Sequence, residues 1–266
     1  VVTVVVVNIN RKQFLSGCIQ SIETHLGDLA EVVIVDNASE DGSVSFIQDN
    51  FPNVELIESE ENLGFGQGNN LGVQNANGKY ILLLNNDARL LSSLTPAFEI
   101  FERHQSVGVV GARMLGKDLE YRLSCGYFPR WFRLFLLSKI FVREGQFATG
   151  DFAKDREKVY PVDWVEGSFL LTTRLLWEEV GGFDPAYFMY VEDVDFCRKM
   201  LDKNYETVYF PYVTYQHQGG YNVSRYAWLI GGFKAYHKIH SGIVERTLAS
   251  CVILLRNTAR LVIQNV

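Results

Sequence analysis

The sequence predicts an α/β fold with a Rossmann-like, mainly parallel central sheet flanked by helices. Two observations support this prediction. Residues 1–7, 32–35 and 80–84 are apolar runs without alternation, which is typical of strands buried on both faces. Helix-like segments, with apolar residues three and four positions apart, lie between these runs. Strands that alternate with helices favour a parallel, doubly wound sheet.

The first 110 residues or so account for most of this sheet. Residues 1–7 are rich in the β-branched residue Val, and residues 14–22 follow with the spacing of an amphipathic helix. Further strands are predicted at residues 32–35, 54–57, 80–84 and 107–110. Helices are predicted after residue 43, at 62–76 and at 95–104.

The pattern is interrupted after residue 115 and returns near residue 164. Residues 115–162 show no clean period, so the sequence assigns them no elements. Beyond them we expect a strand at 164–171, a helix at 174–180 ended by two glycines, a helix at 190–201, a strand at 206–210, a loop at 216–220 and two helices at 224–266. The expected division is a domain of residues 1–225 and a C-terminal helical extension of residues 226–266.

Composition narrows the class of protein. The 266 residues suit one large α/β domain, alone or with an extension, and the net charge of −6 argues against a general nucleic-acid binder. The four cysteines are far apart and form no C-x-x-C pair, which is typical of a reduced intracellular protein. No signal peptide and no spanning apolar run is visible. The missing Met and the apolar last residues suggest a trimmed start and a removed continuation.

Polar residues follow two of the predicted strands at the ends where open α/β sheets bind ligands. Asn85, Asn86 and Asp87 end the run at 80–84, and Asp36 ends the run at 32–35. A carboxylate at Asp87 suits a divalent cation that also holds a diphosphate, whereas Asn-Asn-Asp is equally an ordinary turn. Asp36 suits a base or ribose hydroxyls, and the alternative is a helix-entry cap.

The glycines Gly64, Gly66 and Gly68 do not form a dinucleotide fingerprint. Asn69 occupies the position where G-x-G-x-x-G needs its last glycine, and no good strand leads into the segment. A Walker A motif is also absent from the sequence, which argues against a P-loop kinase or ATPase. A glycine-rich helix start still permits close approach of a nucleotide, and tight packing is the alternative.

Two later segments carry residues suited to catalysis. Glu192, Asp193 and Asp195 crowd a predicted helix start, where the helix dipole stabilises carboxylates, and aromatic residues precede them. Asp193 is suited to take a proton from an acceptor hydroxyl, with a structural role as the alternative. His217 follows a predicted strand and suits contact with a metal or a diphosphate, although a lone His is often structural.

The ordered set of motifs resembles the inverting, nucleotide-sugar-dependent glycosyltransferases of family 2, with a GT-A fold, in their rhamnosyltransferase-like branch. The motifs are Asn8-Ile9-Asn10 after the first strand, residues 35–42, residues 62–66, residues 84–87, residues 181–184, residues 192–195 and residues 217–220. The similarity covers about residues 1–225. The Q-x-x-R-W motif of processive members is absent from the sequence.

The resemblance implies roles for individual residues. Asp87 is expected to bind a divalent metal, Mn²⁺ or Mg²⁺, together with His217, and Asp193 is expected to be the general base. Asn85 stands where the family's D-x-D motif has its first acid. The expected donor-nucleotide residues are Asn8, Asn10, Asp36, Asn37, Gly64, Asn69 and Asn86. The expected acceptor-side residues are Glu166, Gly182, Asp184 and Glu192.

The expected reaction is metal-assisted transfer of a sugar, rhamnose or similar, with inversion. The expected donor is dTDP-rhamnose or a UDP-sugar, and the expected acceptor is a cell-surface glycan or a lipid-linked glycan. A nucleotidyltransferase and a non-catalytic sugar-nucleotide or glycan-binding protein are the alternatives. We expect a cytoplasmic protein. Its C-terminal helices carry arginines among apolar residues. They are expected either to contact the inner face of the membrane or to pack against the domain or a second copy in a homodimer.

Overall fold

The computed structural model describes residues 1–136, 140, 158–219 and 226–264, with side chains to residue 258. The strands in these ranges are β1 Val2–Asn8, β2 Ala30–Asn37, β3 Glu55–Ser59, β4 Tyr80–Leu84, β5 Ala88–Leu90, β6 Val107–Leu115, β7 Tyr121–Arg122, β8 Cys125–Gly126, β9 Tyr160–Val162, β10 Trp164–Val165, β11 Phe169–Thr173 and β12 Glu206–His217. The helices are α1 Lys12–Leu26, α2 Ser43–Asn50, α3 Gly64–Gln74, α4 Thr95–Arg103, α5 Arg174–Val180, α6 Glu192–Asp202, α7 Tyr226–His240 and α8 Ile243–Gln264.

The central sheet has the strand order β3-β2-β1-β4-β11-β6-β12-β5. The pairs β1–β2, β1–β4, β2–β3 and β6–β12 are parallel. β11 enters between β4 and β6 and is antiparallel to both. β7 and β9 add to β6 and β12, and β8 and β10 form a separate two-stranded sheet. The prediction of a mainly parallel sheet flanked by helices is confirmed.

The strand register places the predicted polar residues at one edge of the sheet. Asn8 of β1 pairs with Asp36 of β2, and Val5 pairs with Leu83 of β4. Residues 85–87 follow β4 directly, so they lie at the same edge as Asn8 and Asp36. This edge is formed by the carboxyl ends of the parallel strands, where ligands of open α/β sheets bind.

Apolar side chains fill both faces of the sheet. On one face, Val4 and Val6 of β1 belong to a cluster with residues of α1 and α4. On the other face, Val5 belongs to a cluster with residues of α3, α6, α7 and α8, including Phe196, Phe233 and Val252. The C-terminal helices therefore pack against the same core as α6. The expected domain boundary at residue 225 falls within 220–225, outside the described residues.

Two predicted elements differ in the structure. The run at 164–171 is divided into β10 and β11 by residues 166–168, where the Glu166 amide donates to the Ser124 carbonyl and the Asn85 amide donates to the Ser168 carbonyl. His217, expected in a loop, is the last residue of β12 and pairs with Ala88 of β5. A register shift between Phe210 and Thr214 interrupts the strand around Pro211, which has no amide hydrogen to donate.

None of the helices in the described part of the chain combines the length and the apolar character needed to cross a membrane.

Candidate active site

A cavity of about 420 Å³ lies at the carboxyl edge of the sheet. Six of the predicted site residues line it: Asn37, Gly64, Asn86, Asp87, Glu166 and His217. Its other walls are formed by Val7, Ile9, Arg11, Asn62, Phe65, Asn85, Met114, Arg122, Leu123, Met189, Tyr190 and Gly219. Residues from both the first and the second half of the chain therefore face one space of the size that small-molecule ligands occupy.

Three of the residues expected to bind the nucleotide, Asn8, Asp36 and Asn86, are joined by hydrogen bonds beneath the cavity. Asn86 Nδ2 donates to Asn8 Oδ1 at 2.8 Å, and Asn8 Nδ2 donates to Asp36 Oδ2 at 2.9 Å. The other oxygen of Asp36 accepts from the Ser39 amide at 2.8 Å. Asp36 and Asn8 are buried, so in this conformation they support the loop after β2.

The loops after β1 and β2 are joined through Asn10. Its side-chain oxygen accepts from the Glu40 amide at 2.7 Å, and its own amide donates to the Ser39 hydroxyl at 2.9 Å. Asn10 and Ala38 both adopt left-handed backbone conformations, with φ of 50° and 60°. Such conformations cost energy in non-glycine residues and concentrate at functional sites. Asn10 thus shapes the rim of the cavity and does not line it.

The first turn of α3 is fastened to the loop that precedes α6. Gly64 has φ of +77°, and a Cβ there would lie 2.3 Å from the Phe188 carbonyl oxygen. The next amide, Phe65, donates to that same oxygen at 2.9 Å, and Asn37 Nδ2 donates to the Gly64 carbonyl at 3.0 Å. Asn69 is buried and donates to the Phe65 carbonyl, so it holds this turn from inside.

The two residues expected to bind metal are in contact. Asp87 Oδ1 lies 3.0 Å from His217 Nε2, and Asn85 Nδ2 lies 3.1 Å from the same nitrogen. Burial alone raises the pKa of Asp87, but the hydrogen bond and charge of His217 and the charge of Arg11 outweigh it and lower the pKa. For His217, burial lowers the pKa, but the carboxylates of Asp87 and Glu166 outweigh it and raise the pKa.

These residues fit a divalent cation that shares its coordination with a substrate. Gly219 keeps space open beside both, because a Cβ there would lie 2.6 Å from Asp87 Oδ2 and 3.2 Å from His217 Nε2. No cluster of three or more His, Cys, Asp or Glu side chains suited to a metal occurs in the described ranges. Mg²⁺-type sites with one or two protein carboxylates complete their shell with water and substrate phosphates.

Asp193 lies in the first turn of α6 and is not among the described residues that line the cavity. Its Oδ2 accepts from the Gly167 amide at 2.9 Å and its Oδ1 accepts from the Val194 amide at 2.8 Å. Gly167 follows the cavity-lining residue Glu166 in the chain, and a Cβ on it would lie 3.0 Å from the ring of Phe65. Asp193 is half-buried.

Glu192 and Asp193 are adjacent carboxyl groups whose charges act on each other. Burial raises the pKa of Glu192 well above its ordinary value, and the charge of Asp193 raises it further. Burial also raises the pKa of Asp193, but backbone amides, that of Gly167 first, oppose this shift. Glu192 is 4% exposed, and its Oε2 accepts no hydrogen bond from the described residues. Asp193 therefore has hydrogen-bond donors that favour its charged form, and Glu192 Oε2 has none.

Glu166 lines the cavity together with Asp87 and His217. Burial raises its pKa to about 7, with the charges of Asp193 and Asp87 adding to the shift and His217 opposing it. Its Oε2 is buried without a hydrogen-bond partner. An unpartnered buried carboxyl oxygen at the wall of a cavity is suited to bind a hydroxyl of a substrate.

The segment before α6 shapes the wall of the cavity, although its predicted residues Gly182 and Asp184 do not line it. Gly182 has φ of +61° and its carbonyl accepts from Lys199 Nζ at 2.6 Å, and Asp184 accepts from the Ala186 amide at 2.8 Å. These turns carry Met189 and Tyr190 to the cavity. Tyr190 and Val191 adopt consecutive left-handed conformations, with φ of 72° and 76°, immediately before the helix that bears Asp193.

Several cavity residues were not identified from the sequence. Arg11 directly follows Asn10 at the end of β1, so its position offered a signal, and its charge acts on Asp87. Arg122, Leu123 and Met114 belong to or border the stretch 115–162, where no periodicity indicated a strand. Their approach to the cavity depends on the pairing of β7 with β6.

Comparisons with known proteins identify the family to which the chain belongs. The family profile described as Glycosyl transferase family 2 matches residues 3–155. The N-acetylglucosaminyl-diphospho-decaprenol L-rhamnosyltransferase of Mycobacterium tuberculosis is 27% identical over an alignment of 210 residues. The alignment covers 73% of this chain and 68% of that protein. These matches support the glycosyltransferase expectation over the two alternatives, a nucleotidyltransferase and a non-catalytic binding protein.

Solved structures support the same fold. The structure of GalNAc-T7 with UDP, GalNAc and Mn²⁺ superposes with a TM-score of 0.67 at 15% identity and covers 88% of this chain and 46% of its own. The mannosyltransferase PcManGT from Pyrobaculum calidifontis, with GDP-Man and Mn²⁺, gives 0.62 at 20% identity over 95% of this chain and 69% of its own. The predicted GT-A fold is confirmed, and the chain belongs to glycosyl transferase family 2.

Proposed function

We propose that this glycosyltransferase transfers a sugar from a nucleoside-diphosphate sugar to a hydroxyl of a lipid-linked glycan, with inversion at the anomeric carbon. The observation that carries the proposal is that Glu166 and the pair Asp87–His217 line one cavity, while Asp193 is bonded to Gly167, the residue that follows Glu166. A base beside the cavity and a cation site within it match the two charges that develop in the reaction, on the attacking oxygen and on the departing diphosphate.

The chemistry is a single displacement. Asp193 accepts the proton of the acceptor hydroxyl as its oxygen bonds to the anomeric carbon. The bond from that carbon to the diphosphate oxygen breaks, and the nucleoside diphosphate leaves with the electron pair. Asp87 and His217 would hold a divalent cation, which when bound supplies Lewis-acid neutralisation of the leaving group. Attack opposite to the leaving group inverts the configuration, so no covalent intermediate with the enzyme forms.

The donor side is supported by the loops around Asp36. Asn37 and Asn86 line the cavity, and the buried Asp36 is linked to Asn86 through Asn8, so it supports the loops that would hold the base and ribose. UDP and GDP-Man are bound by the two similar structures, and Mn²⁺ accompanies both. The relative from Mycobacterium tuberculosis is a rhamnosyltransferase, which supports dTDP-rhamnose or a UDP-sugar as the donor and rhamnose or a related hexose as the transferred sugar.

The acceptor side is supported by the same relative, whose name specifies a diphospho-decaprenol carrier. An acceptor on a lipid carrier requires the enzyme to work at a membrane surface. In α8, Ile243, Val244 and Leu254 are 73%, 70% and 67% exposed, and Arg246 lies on the same helix. Exposed apolar residues with arginines suit the surface of an anionic membrane. We therefore place the protein in the cytoplasm at the inner face of the membrane, with a homodimer through α8 as the competing arrangement.

The experiment that tests the proposal is release of nucleoside diphosphate from a panel of UDP-, GDP- and dTDP-sugars with Mn²⁺ or Mg²⁺. We expect slow hydrolysis of one donor, abolished by a chelator and by Asp87→Ala and retained in Asp28→Ala, which changes an exposed residue. Metal-dependent binding of nucleotide without turnover of any donor, even when lipid-linked acceptors are added, would contradict the proposal.

A further inference from the structure

A second cavity, of about 430 Å³, lies between α6, the junction of α7 and α8, and residues 128–133. It shares no lining residue with the first cavity, at the carboxyl edge of the sheet, which we call the donor cavity. The lining comprises Phe128, Pro129, Arg130, Arg133, Asp163, Arg198, Tyr236, His237, His240, Ser241, Gly242 and Glu245. Three arginines and two histidines in one cavity of a chain with net charge −6 indicate a site for an anion.

The two carboxylates in this cavity are already engaged with the backbone. Asp163 Oδ2 accepts from the Phe128 amide at 2.8 Å, and Glu245 Oε1 accepts from the Trp131 amide at 2.9 Å. Arg133 donates to the Phe128 carbonyl at 3.0 Å and lies 3.7 Å from Asp163. Arg130 has no carboxylate partner among the residues described and contacts the ring of Phe132. Arg198 is paired with Asp202, whose Oδ1 lies 2.9 Å from its Nε and 2.8 Å from its Nη2. Arg130 and the remaining N–H groups of Arg133 and Arg198 are therefore the guanidinium donors that a ligand can use.

His237 supplies an independent indication of a ligand. It is 2% exposed, and its Nδ1 lies 2.8 Å from the Ser241 hydroxyl. Its Nε2 makes no hydrogen bond of ordinary geometry in the described chain. Burial lowers the pKa of His237, and contact with the Pro129 backbone opposes this shift. In the tautomer in which the Ser241 hydroxyl donates to Nδ1, Nε2 carries a proton that it can donate to a phosphate oxygen.

Exposed apolar side chains adjoin the cavity on two elements. Phe132 is 47% exposed and stands between the lining residues Arg130 and Arg133. Ile243 and Val244 are 73% and 70% exposed and stand between the lining residues Gly242 and Glu245. An anion-binding cavity with an apolar rim fits an amphiphile that has an anionic head and a hydrocarbon chain.

The cavity is connected to the catalytic residues through two elements. Arg198 lines it from α6, five residues after Asp193, which corresponds to about 7–8 Å along the helix axis. Asp163 lines it immediately before β10, while Glu166 lines the donor cavity immediately after β10.

We propose that the second cavity binds the diphosphate of the lipid-linked acceptor, with Arg130, Arg133, Arg198 and His237 as donors and the lipid chain over Phe132, Ile243 and Val244. This inference rests on the proposed function, since it assigns a place to the acceptor's anionic group. It predicts an affinity for prenyl diphosphates that needs neither sugar donor nor metal.

The test is calorimetric binding of geranyl diphosphate to the full chain in the presence of a chelator, which removes metal-dependent binding at Asp87. We expect Arg130→Gln and Arg198→Gln each to weaken binding about tenfold or more, because each removes a charged donor. The control Arg174→Gln removes an arginine of α5 that pairs with Glu178 on the helix surface, and its affinity is expected to be unchanged. Equal affinities in all four proteins would overturn the inference.

Inorganic pyrophosphate distinguishes a lipid headgroup from a free anion. We expect it to bind more weakly than geranyl diphosphate, and Val244→Ser to weaken only the geranyl compound. Equal affinity for both ligands would overturn the lipid assignment. Donor hydrolysis by the same variants separates the two proposals. Hydrolysis without binding of geranyl diphosphate would refute this inference alone, whereas arginine-dependent binding without turnover of any donor would refute the proposed function and leave the diphosphate site established.

Discussion

His240 and Asp195 are joined by a contact of 2.7 Å between Nε2 and Oδ1, although 45 positions separate them in the sequence. Asp195 is fully buried and also accepts from the Tyr187 hydroxyl at 3.1 Å. Because Asp195 lies two residues after Asp193 in α6, this contact joins the last residue of α7 to the helix that carries the proposed base.

Replacement of His240 by Ala is expected to lower the free energy of unfolding by about 3 kcal/mol, because it leaves the buried Asp195 carboxylate without its closest partner. Urea unfolding of the purified variant measures this loss. His104→Ala provides the control, since His104 is exposed and its change should alter stability by about 0.5 kcal/mol or less. Similar losses in both variants would refute the importance of the contact.

Replacement of Asp193 by Asn is expected to reduce sugar transfer by about 10² to 10⁴-fold, the contribution typical of a general base. The amide keeps the size of the side chain and one acceptor for the Gly167 amide, so donor binding should change little. The measurements are the rate of transfer and, by calorimetry, the affinity for donor. Full transfer by a variant that binds donor normally would remove Asp193 from the mechanism.

Replacement of His217 by Ala is expected to raise the Mn²⁺ concentration needed for nucleotide binding by about tenfold or more, because a nitrogen ligand beside Asp87 is lost. Titration of Mn²⁺ at a fixed concentration of nucleoside diphosphate measures this requirement. His25→Ala, on α1, serves as the matched control. An unchanged Mn²⁺ requirement in His217→Ala would show that the imidazole is not a ligand.

Replacement of Glu192 by Gln is expected to alter how stability depends on pH. The folded-state pKa of Glu192 is raised, so its stabilising contribution is complete below its ordinary pKa of 4.5 and is lost as the pH rises through the raised value. The variant should therefore gain stability relative to the wild type at pH 8 and little at pH 4.5. The gain is about 1.4 kcal/mol for every tenfold difference in proton affinity between the folded and unfolded states. Unfolding in urea at both pH values, with the exposed Glu23→Gln as control, tests this expectation. A constant difference between the two pH values would contradict it.

Replacement of Gly64 by Ala is expected to destabilise the protein by about 2 kcal/mol or more, because the left-handed backbone and the Phe188 carbonyl both exclude a Cβ. Gly231→Ala is the matched control, since a Cβ on this exposed residue of α7 would meet no atom within 4 Å. That change should stabilise the helix by about 0.5–1 kcal/mol. Thermal unfolding and donor affinity measure both variants, and equal effects would show that Gly64 is not conformationally required.

The sequence predicted the parts of the fold that have strong local signals. Continuous apolar runs identified β1, β2 and β4, and the polar residues after them identified Asp36 and Asp87 as neighbours at one edge. Strand direction has no such signal, so the antiparallel insertion of β11 was not apparent from its apolar residues. The two- and three-residue strands β5, β7, β8 and β9 are too short to show a period. β5, β8 and β9 pair with strands distant in the sequence, and β7 pairs with the preceding strand β6.

The candidate site was predictable from the sequence to about the same degree as the fold. The acids and His217 were identified by type and position, whereas the role of Asn8 as the link between Asp36 and Asn86 depends on three strands being adjacent. Arg122 and Met114 reach the cavity through the β6–β7 pairing, and the second cavity is formed by segments more than 100 residues apart. Contacts of this kind follow from tertiary packing, which local propensity does not encode.

The insertion of β11 between β4 and β6 has a consequence for the order in which the protein becomes active. Asp36 and Asp87 are synthesised early, whereas Asp193 and His217 come from the part of the chain that follows β11. The early half of the sheet cannot close until a strand made much later pairs at its centre, so folding depends on contacts of long sequence separation and is expected to be slow. A nascent chain that has reached residue 155 contains the proposed donor-side residues but neither Asp193 nor His217. We therefore expect it to be unable to transfer or hydrolyse a sugar nucleotide before the fold is complete.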